Sequence, residues 1–169
     1  MELNITAYSE YIKKAAEILP KGAFLTTKNG DKTNTMTIGW GTFGFQWGMP
    51  TAEVMVRESR FSKELLDSSM EFTLTFPYDN GMKDALSYCG QKSGRDCDKI
   101  SDLELSIVPA KEILTPVIAC KGLVMECTVV AKTEMQNKLT DTLVLDKWYK
   151  NGDLHTIYYA KVEACYELD

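Results

Sequence analysis

Between Ala23 and Phe43 the chain reads AFLTTKNGDKTNTMTIGWGTF, a stretch that few folds can hold. Two runs of strand-forming residues flank Asn29-Gly30-Asp31, and that turn chemistry joins antiparallel strands through a tight hairpin. AFLTTK is the first strand and residues 32–43 the second, together a long β-ribbon. Alternation along the second strand puts Thr33, Thr35, Thr37, Gly39 and Gly41 on one face, and Asn34, Met36, Ile38 and Trp40 on the other. A face of small residues lets something flat approach the backbone closely, either another layer of structure or a planar ligand. Glycines and aromatics continue in GWGTFGFQWGMP at 39–50, as in a loop lining a pocket or an interface.

The remaining segments are short and mostly extended. SEYIKKAAEIL at 9–19 has a helical face of Tyr11, Ile12, Ala15, Ala16 and Leu19, with Ser9 placed to cap it. TAEVMVR at 51–57 is a third strand, and 59–69 is a helix with Ser59 or Ser62 at its N-cap. EFTLTFP at 71–77 alternates cleanly as a fourth strand, and 81–90 is a short helix closed by Gly90. Two strands are expected across LELSIVPAKEI and PVIACKGLVMECTVVAKTEM, turning near Lys121-Gly122. A helix around LTDTLVLDKWY, a turn at Asn151-Gly152-Asp153 and a last strand at 154–168 complete the chain. Six to eight strands that meet mainly through hairpins, with only short helices, imply a mainly β fold: a closed or nearly closed antiparallel barrel.

The chain has 169 residues, enough for a single domain over 1–169 with a sizeable core. No apolar run is long enough to cross a bilayer, and the polar start MELNITAYSEYIKK is not a signal peptide, so a cytoplasmic protein without membrane contact is expected. Cys89, Cys97, Cys120, Cys127 and Cys165 form no C-x-x-C pair, and His155 is the single histidine, so no metal site is expected. A net charge of -5 argues against a nucleic-acid partner.

The cations are unevenly typed. Sixteen are lysines spread along the chain, whereas the three arginines lie in only two segments, VRESRFSKE and YCGQKSGRDCDK. Arginine offers a rigid fork of donors suited to phosphate and carboxylate. Arg57, Arg60 and Arg95 therefore make either one anion site built from two loops or three ordinary surface ion pairs. In the first segment a strand runs into a helix N-terminus, where free N–H groups and serine hydroxyls favour a dianion. In the second, glycines let the backbone come close, Ser93, the Gly94 amide and Arg95 are donors, and Lys92 and Lys99 add charge. Asp96 and Asp98 orient Arg95, cap a short helix near residue 98 or bind hydroxyls. Neither segment matches a P-loop or a G-x-G-x-x-G fingerprint. The residues by themselves thus point to a barrel with a site for a phosphorylated, partly flat ligand.

Four stretches, taken in order, resemble the flavin reductase-like, FMN-binding split-barrel family, nearest its flavoredoxin group: 22–44, 56–77, 86–99 and 155–168. The likeness covers nearly the whole chain. It implies an antiparallel split β-barrel of Greek-key type with FMN held non-covalently at a homodimer interface. Carried over by residue, Asn34, Thr35, Met36 and Thr37 border the flavin ring, and Trp40 lies near the ring or the dimer contact. Arg57, Ser59, Arg60 and Ser62 hold the phosphate from one loop. Cys89, Gly90, Ser93, Gly94 and Arg95, with Lys99, meet the ribityl chain and phosphate from the other. Relatives often have proline where this chain has Glu58, and tyrosine and threonine where it has Phe61 and Ser62. Glu58 beside a phosphate costs affinity unless it points outward or pairs with a cation.

The resemblance implies flavin chemistry with no catalytic acid–base dyad in the protein. Three functions are compatible: an NAD(P)H-dependent flavin reductase, a flavoredoxin-type carrier taking electrons from a redox protein, and a non-redox protein that binds FMN or a phosphometabolite. Cys89 is expected to pack as a small residue, His155 as a strand-end structural histidine, and Trp47 and Trp148 as dimer or core aromatics.

Overall fold

The structure, a computed structural model, describes residues 5–136 and 138–169. Its strands are β1 (Ala23–Asn29), β2 (Lys32–Ile38), β3 (Gly41–Gln46), β4 (Met49–Arg57), β5 (Glu71–Pro77), β6 (Ile107–Val108), β7 (Val117–Ile118), β8 (Gly122–Glu134) and β9 (His155–Leu168). The helices are α1 (Ile5–Ile18), α2 (Phe61–Ser69), α3 (Lys83–Gln91), α4 (Lys99–Asp102) and α5 (Thr142–Trp148).

Seven strands form one antiparallel sheet in the order β2-β1-β5-β8-β9-β4-β3, while β6 and β7 pair separately. The two edge strands are consecutive in the chain, joined only by Gly39 and Trp40. Three Cα steps span at most about 11 Å, whereas six strand spacings of a flat sheet would span about 29 Å. The sheet must therefore curl until its edges approach, and register shifts between Glu126 and Cys127 and between Val129 and Ala131 help β8 and β9 bend. Because β2 and β3 do not pair, the barrel stays split at that seam.

The long second strand expected at 32–43 is thus two strands with different partners. Ile38 pairs with Ala23, the first residue of β1, so β2 has no ladder to continue along. The chain turns at Gly39-Trp40 and pairs with β4 instead. Residues 44–46, expected to lie in a loop, continue β3 as strand, and Trp47 and Gly48 make the β3–β4 turn with φ of 50° and 74°. Positive φ at both central residues matches the right-handed strand twist, and glycine adopts it without strain.

Leu25, Met36, Ile38, Val54, Phe72, Leu74, Phe76, Met125 and Tyr158 fill the barrel. Helix α1 closes one side with Tyr8 and Ala15, with Leu19 just past its end, and the Tyr8 hydroxyl donates to the Thr51 carbonyl at 2.6 Å. Ser9 lies inside the described helix Ile5–Ile18 and is not its cap; the Ser9 hydroxyl donates back to the Thr6 carbonyl, and Ala16 is exposed. A second cluster outside the barrel packs Phe24, Cys89, Leu105 and Ile118 beneath α3 and α4. Strand β5 is therefore buried on both faces, with Thr73 and Thr75 donating to the Pro116 and Ile118 carbonyls.

Three further helix ends differ from expectation. Arg60 is the N-cap of α2, with no side-chain cap bond, because Ser59 and Ser62 are bonded elsewhere. Helix α3 runs through Gly90 to Gln91 and is capped at Lys92, so Gly90 packs inside the helix against Thr37. Asp98 caps α4, accepting from the Ile100 and Ser101 amides, which hold its carboxyl below the usual range.

Candidate functional site

The edge of β2 faces a groove whose floor is the split seam. One end is a cavity of about 170 Å³ lined by Met36, Ile38, Trp40, Met55, Trp148 and His155, with Arg57 and Arg60 at its rim. The other is a cavity of about 160 Å³ lined by Asn34, Ser59, Arg60, Ser62, Ser93 and Lys99. Met36 and Arg60 line both, so the two are halves of one groove. As an edge strand, β2 turns half of its backbone N–H and C=O groups away from β1.

The two turns that sequence analysis singled out do meet here. Arg60 donates to the Gly90 carbonyl at 2.9 Å, and Arg95 donates to the Ser59 carbonyl at 2.7 Å. Gly94 settles onto β2 and α2: a Cβ there would lie 2.1 Å from Asn34 Oδ1 and 2.7 Å from the Phe61 ring. Only glycine fits at that contact. Asn34 in turn donates to the Ser62 hydroxyl at 2.8 Å, tying β2 to the first turn of α2.

The cations divide into two kinds. Arg95 pairs with Glu64 and lies over the Phe61 ring, and Arg57 donates to the Asp153 and Trp148 carbonyls. Ser59 gives both its amide and its hydroxyl to the Asp153 carboxylate, at 2.9 and 2.7 Å. Glu58 points away, accepting from Thr156 and pairing with Lys63. By contrast, neither Arg60 nor Lys99 has a carboxylate partner among the described residues. Lys99 is 3% exposed, and its ammonium group reaches only the Cys89 and Lys92 carbonyls, at 3.3 and 3.2 Å. Burial, with the nearby Arg60 charge, lowers its pKa. Two cations left without a counter-ion on one serine-lined cavity are a donor set for an anion supplied from outside.

The other half of the groove is aromatic. Trp148 meets Trp40 edge-on at 4.7 Å, and the His155 ring lies 5.4 Å from Trp40. Tyr149 hydroxyl and His155 Nδ1 are 2.7 Å apart. Burial and the Arg57 charge pull the His155 pKa down to about 4, so the imidazole is neutral at pH 7. Trp148 and Trp47 are 44% and 63% exposed, so neither is a core aromatic.

Of the residues expected on the small face of β2, Thr35 is buried and bonded to Thr26, and Thr37 donates to the Leu86 carbonyl. Helix α3 packs on Thr37, which still lines the first cavity, so β2 can meet a ligand through its edge and through Asn34, Met36 and Thr37. Cys89 is fully buried with its thiol pushed up to about 11, and it packs as a small apolar group. All five cysteines are free. Sequence reasoning did not place Met55, Phe61, Trp148, Tyr149 or Asp153 in the site. The repeated Asn-Gly-Asp turn was the one signal that could have drawn attention to Asp153.

A family model described as "Flavin reductase like domain" matches residues 19–169. The structure of flavoredoxin from Methanosarcina acetivorans superposes with a TM-score of 0.69 at 25% identity, over 88% of this chain and 68% of that one. An FMN-binding protein from Thermus thermophilus gives 0.66 at 20% identity, over 86% and 69%. The styrene monooxygenase flavin reductase from Pseudomonas putida S12 gives 0.62 at 18%, over 86% and 77%; these last two likenesses are of fold. No curated protein matches the chain in sequence.

Proposed function

The chain belongs to the flavin reductase-like family, and from that premise we propose that it binds FMN and passes hydride or electrons between NAD(P)H and flavin. The observation that carries this reading is the pair Arg60 and Lys99, two cations with no carboxylate partner among the described residues, converging on a serine-lined cavity. A phosphate monoester completes that charge balance. Arg60, Lys99, Ser62 and Ser93 hold the phosphate, and Gly94 keeps the second turn close enough to share it. Asn34 and Met36 with the β2 backbone edge border the ring, and Trp40, Trp148 and Met55 wall it from solvent. Flavin supplies the redox chemistry. The neutral His155 offers a ring nitrogen beside that wall without adding charge.

The second reading, a flavoredoxin-type carrier without a nicotinamide site, is favoured by the 25% identity to a flavoredoxin over 88% of this chain. The third, a non-redox FMN- or phosphometabolite-binding protein, predicts a bound flavin that physiological donors do not reduce. Exposed Phe45 and Trp47 on the β3–β4 hairpin support a homodimer, to be checked by sedimentation. Free thiols suit a cytoplasmic setting, and no helix among the described residues is long and apolar enough to cross a membrane.

The test is direct. Purified protein is scanned for visible absorbance, denatured, and the released chromophore identified; NADH and NADPH oxidation with added flavin is then followed. Yellow protein releasing FMN supports the binding claim, and turnover with either nucleotide supports the reductase. A colourless protein that takes up no FMN at micromolar concentration refutes both.

A further inference from the structure

Helix α1 carries a wider apolar stripe than the barrel covers. Ala15 is buried, Ile12 is half-buried and Ala16 is exposed. Between this uncovered edge and β3 lies a slot of about 750 Å³, against about 170 and 160 Å³ for the two halves of the flavin groove. That size falls within the range of pockets that hold small molecules. Helix α1 ends before the matched stretch 19–169 begins, so one wall of the slot comes from outside the family match.

The slot is apolar on both sides. Ile12 and Ala16, one turn apart, line it from the helix, and Trp40 and Phe43 line it from the strand. Gly39 and Gly41 add no side chain, so the strand wall is bare backbone on either side of Trp40. At Gly41 none is possible, because a Cβ would lie 2.7 Å from the Glu53 carbonyl. Trp40 is 36% exposed and also lines the ring half of the flavin groove, so its indole is the partition between the two spaces. The one charged group on the slot is the Lys13 ammonium, and no carboxylate lines it. Lys13 is exposed and makes no ion pair among the described residues; Glu17, one turn further on, does not reach it. Ring-lined walls around bare backbone suit a planar apolar body, and a lone cation beside them suits an anionic substituent on it.

We propose that the slot between α1 and β3 is a binding site for an aromatic monocarboxylate, with the ring system between Ala16 and Trp40 and the carboxylate at Lys13. The proposal is independent of the flavin reading, because the slot uses none of the phosphate-directed residues and lies on the far side of Trp40 from the ring half. Apolar burial supplies most of the affinity. The ion pair with Lys13, exposed to solvent, sets the preference for an acid over a neutral analogue.

The experiment is a calorimetric titration of the purified chain with 2-naphthoate and with the neutral 2-naphthalenemethanol, on the parent, Ala16→Phe and Lys13→Gln. Both substitutions are at exposed positions of α1. Ala16→Phe fills the slot and is expected to weaken both probes about tenfold or more. Lys13→Gln removes only the charge; it should weaken 2-naphthoate roughly two- to fivefold and leave the alcohol unchanged. Added FMN should not displace either probe. No binding of 2-naphthoate to the parent at millimolar concentration overturns the proposal. So does parent-like binding of 2-naphthoate in either variant, and if Ala16→Phe fails to fold, Lys13→Gln decides alone. Displacement of the probe by FMN would place it in the flavin groove instead, and a dimer that 2-naphthoate dissociates in sedimentation would show a second copy covering the slot; both results overturn the proposal. If 2-naphthoate binds as expected and FMN does not bind at all, the slot stands and the flavin reading falls.

Discussion

Removing the charge of Lys99 separates a ligand-binding role from a structural one. In Lys99→Met the side-chain volume is kept and the ammonium lost. A unit charge about 4 Å from a phosphate oxygen, at an effective dielectric of about 20, interacts by roughly 4 kcal/mol. Truncating one partner of a buried charge pair typically costs about 2–5 kcal/mol. Lys99 shares the phosphate with Arg60, so the low end applies: about 2–3 kcal/mol, or roughly 30- to 150-fold weaker flavin binding. Without ligand the balance differs. The ammonium is buried against two carbonyls at 3.3 and 3.2 Å and beside Arg60, and its lowered pKa means that the charged form is disfavoured by folding. Lys99→Met therefore leaves the apoprotein within about 1 kcal/mol of the parent, a Tm change of roughly 2–4 °C at this chain length. Flavin fluorescence gives the Kd, and thermal unfolding without flavin gives the Tm. Binding within threefold of the parent would refute the argument. So would an apoprotein Tm lowered by more than about 6 °C, since Lys99 would then be holding the α3–α4 turn together.

Gly94→Ala forces a Cβ to within 2.1 Å of Asn34 Oδ1, and overpacking of that kind costs about 1–3 kcal/mol; flavin affinity and stability should fall together, and unchanged values would mean that the turn gives way freely. His155 is neutral when folded, with its pKa pulled from 6.5 to about 4. Its stabilising effect is full above pH 6.5 and is lost as pH falls toward 4. Because it is the only histidine, denaturant unfolding should show about 1.5 kcal/mol lost between pH 6.5 and 5, and His155→Gln should abolish that slope. Asp153→Ala frees the Ser59 amide and hydroxyl and should lower stability by about 1 kcal/mol, with a red shift of tryptophan emission as Trp148 loosens; no shift would show that Arg57 alone holds the segment.

How the chain divides between what its sequence states and what its fold supplies can be argued from particular residues. Period-two alternation and Asn-Gly-Asp turns are local, so β1, β5, β9 and the hairpin that joins β1 to β2 were legible, and capping of α4 was one of the three roles open to Asp98. The two Ser- and Arg-bearing turns were legible too, because phosphate-directed residue types mark themselves by chemistry. Pairing partners are not local. That the strand from 32 to 43 breaks at Gly39 follows from where β1 ends. The same sequence cannot say that Thr35 bonds back to β1 while Thr37 bonds to α3. Nor could composition distinguish the arginines: Arg95 is neutralised by Glu64, 31 residues away, and Arg57 is held by carbonyls more than 90 residues on. The sequence by itself determined a strand-rich chain carrying an anion-directed pair of turns. Only the tertiary structure decided which cations stay without a counter-ion, because neutralisation depends on what long-range folding brings within about 4 Å of each charge.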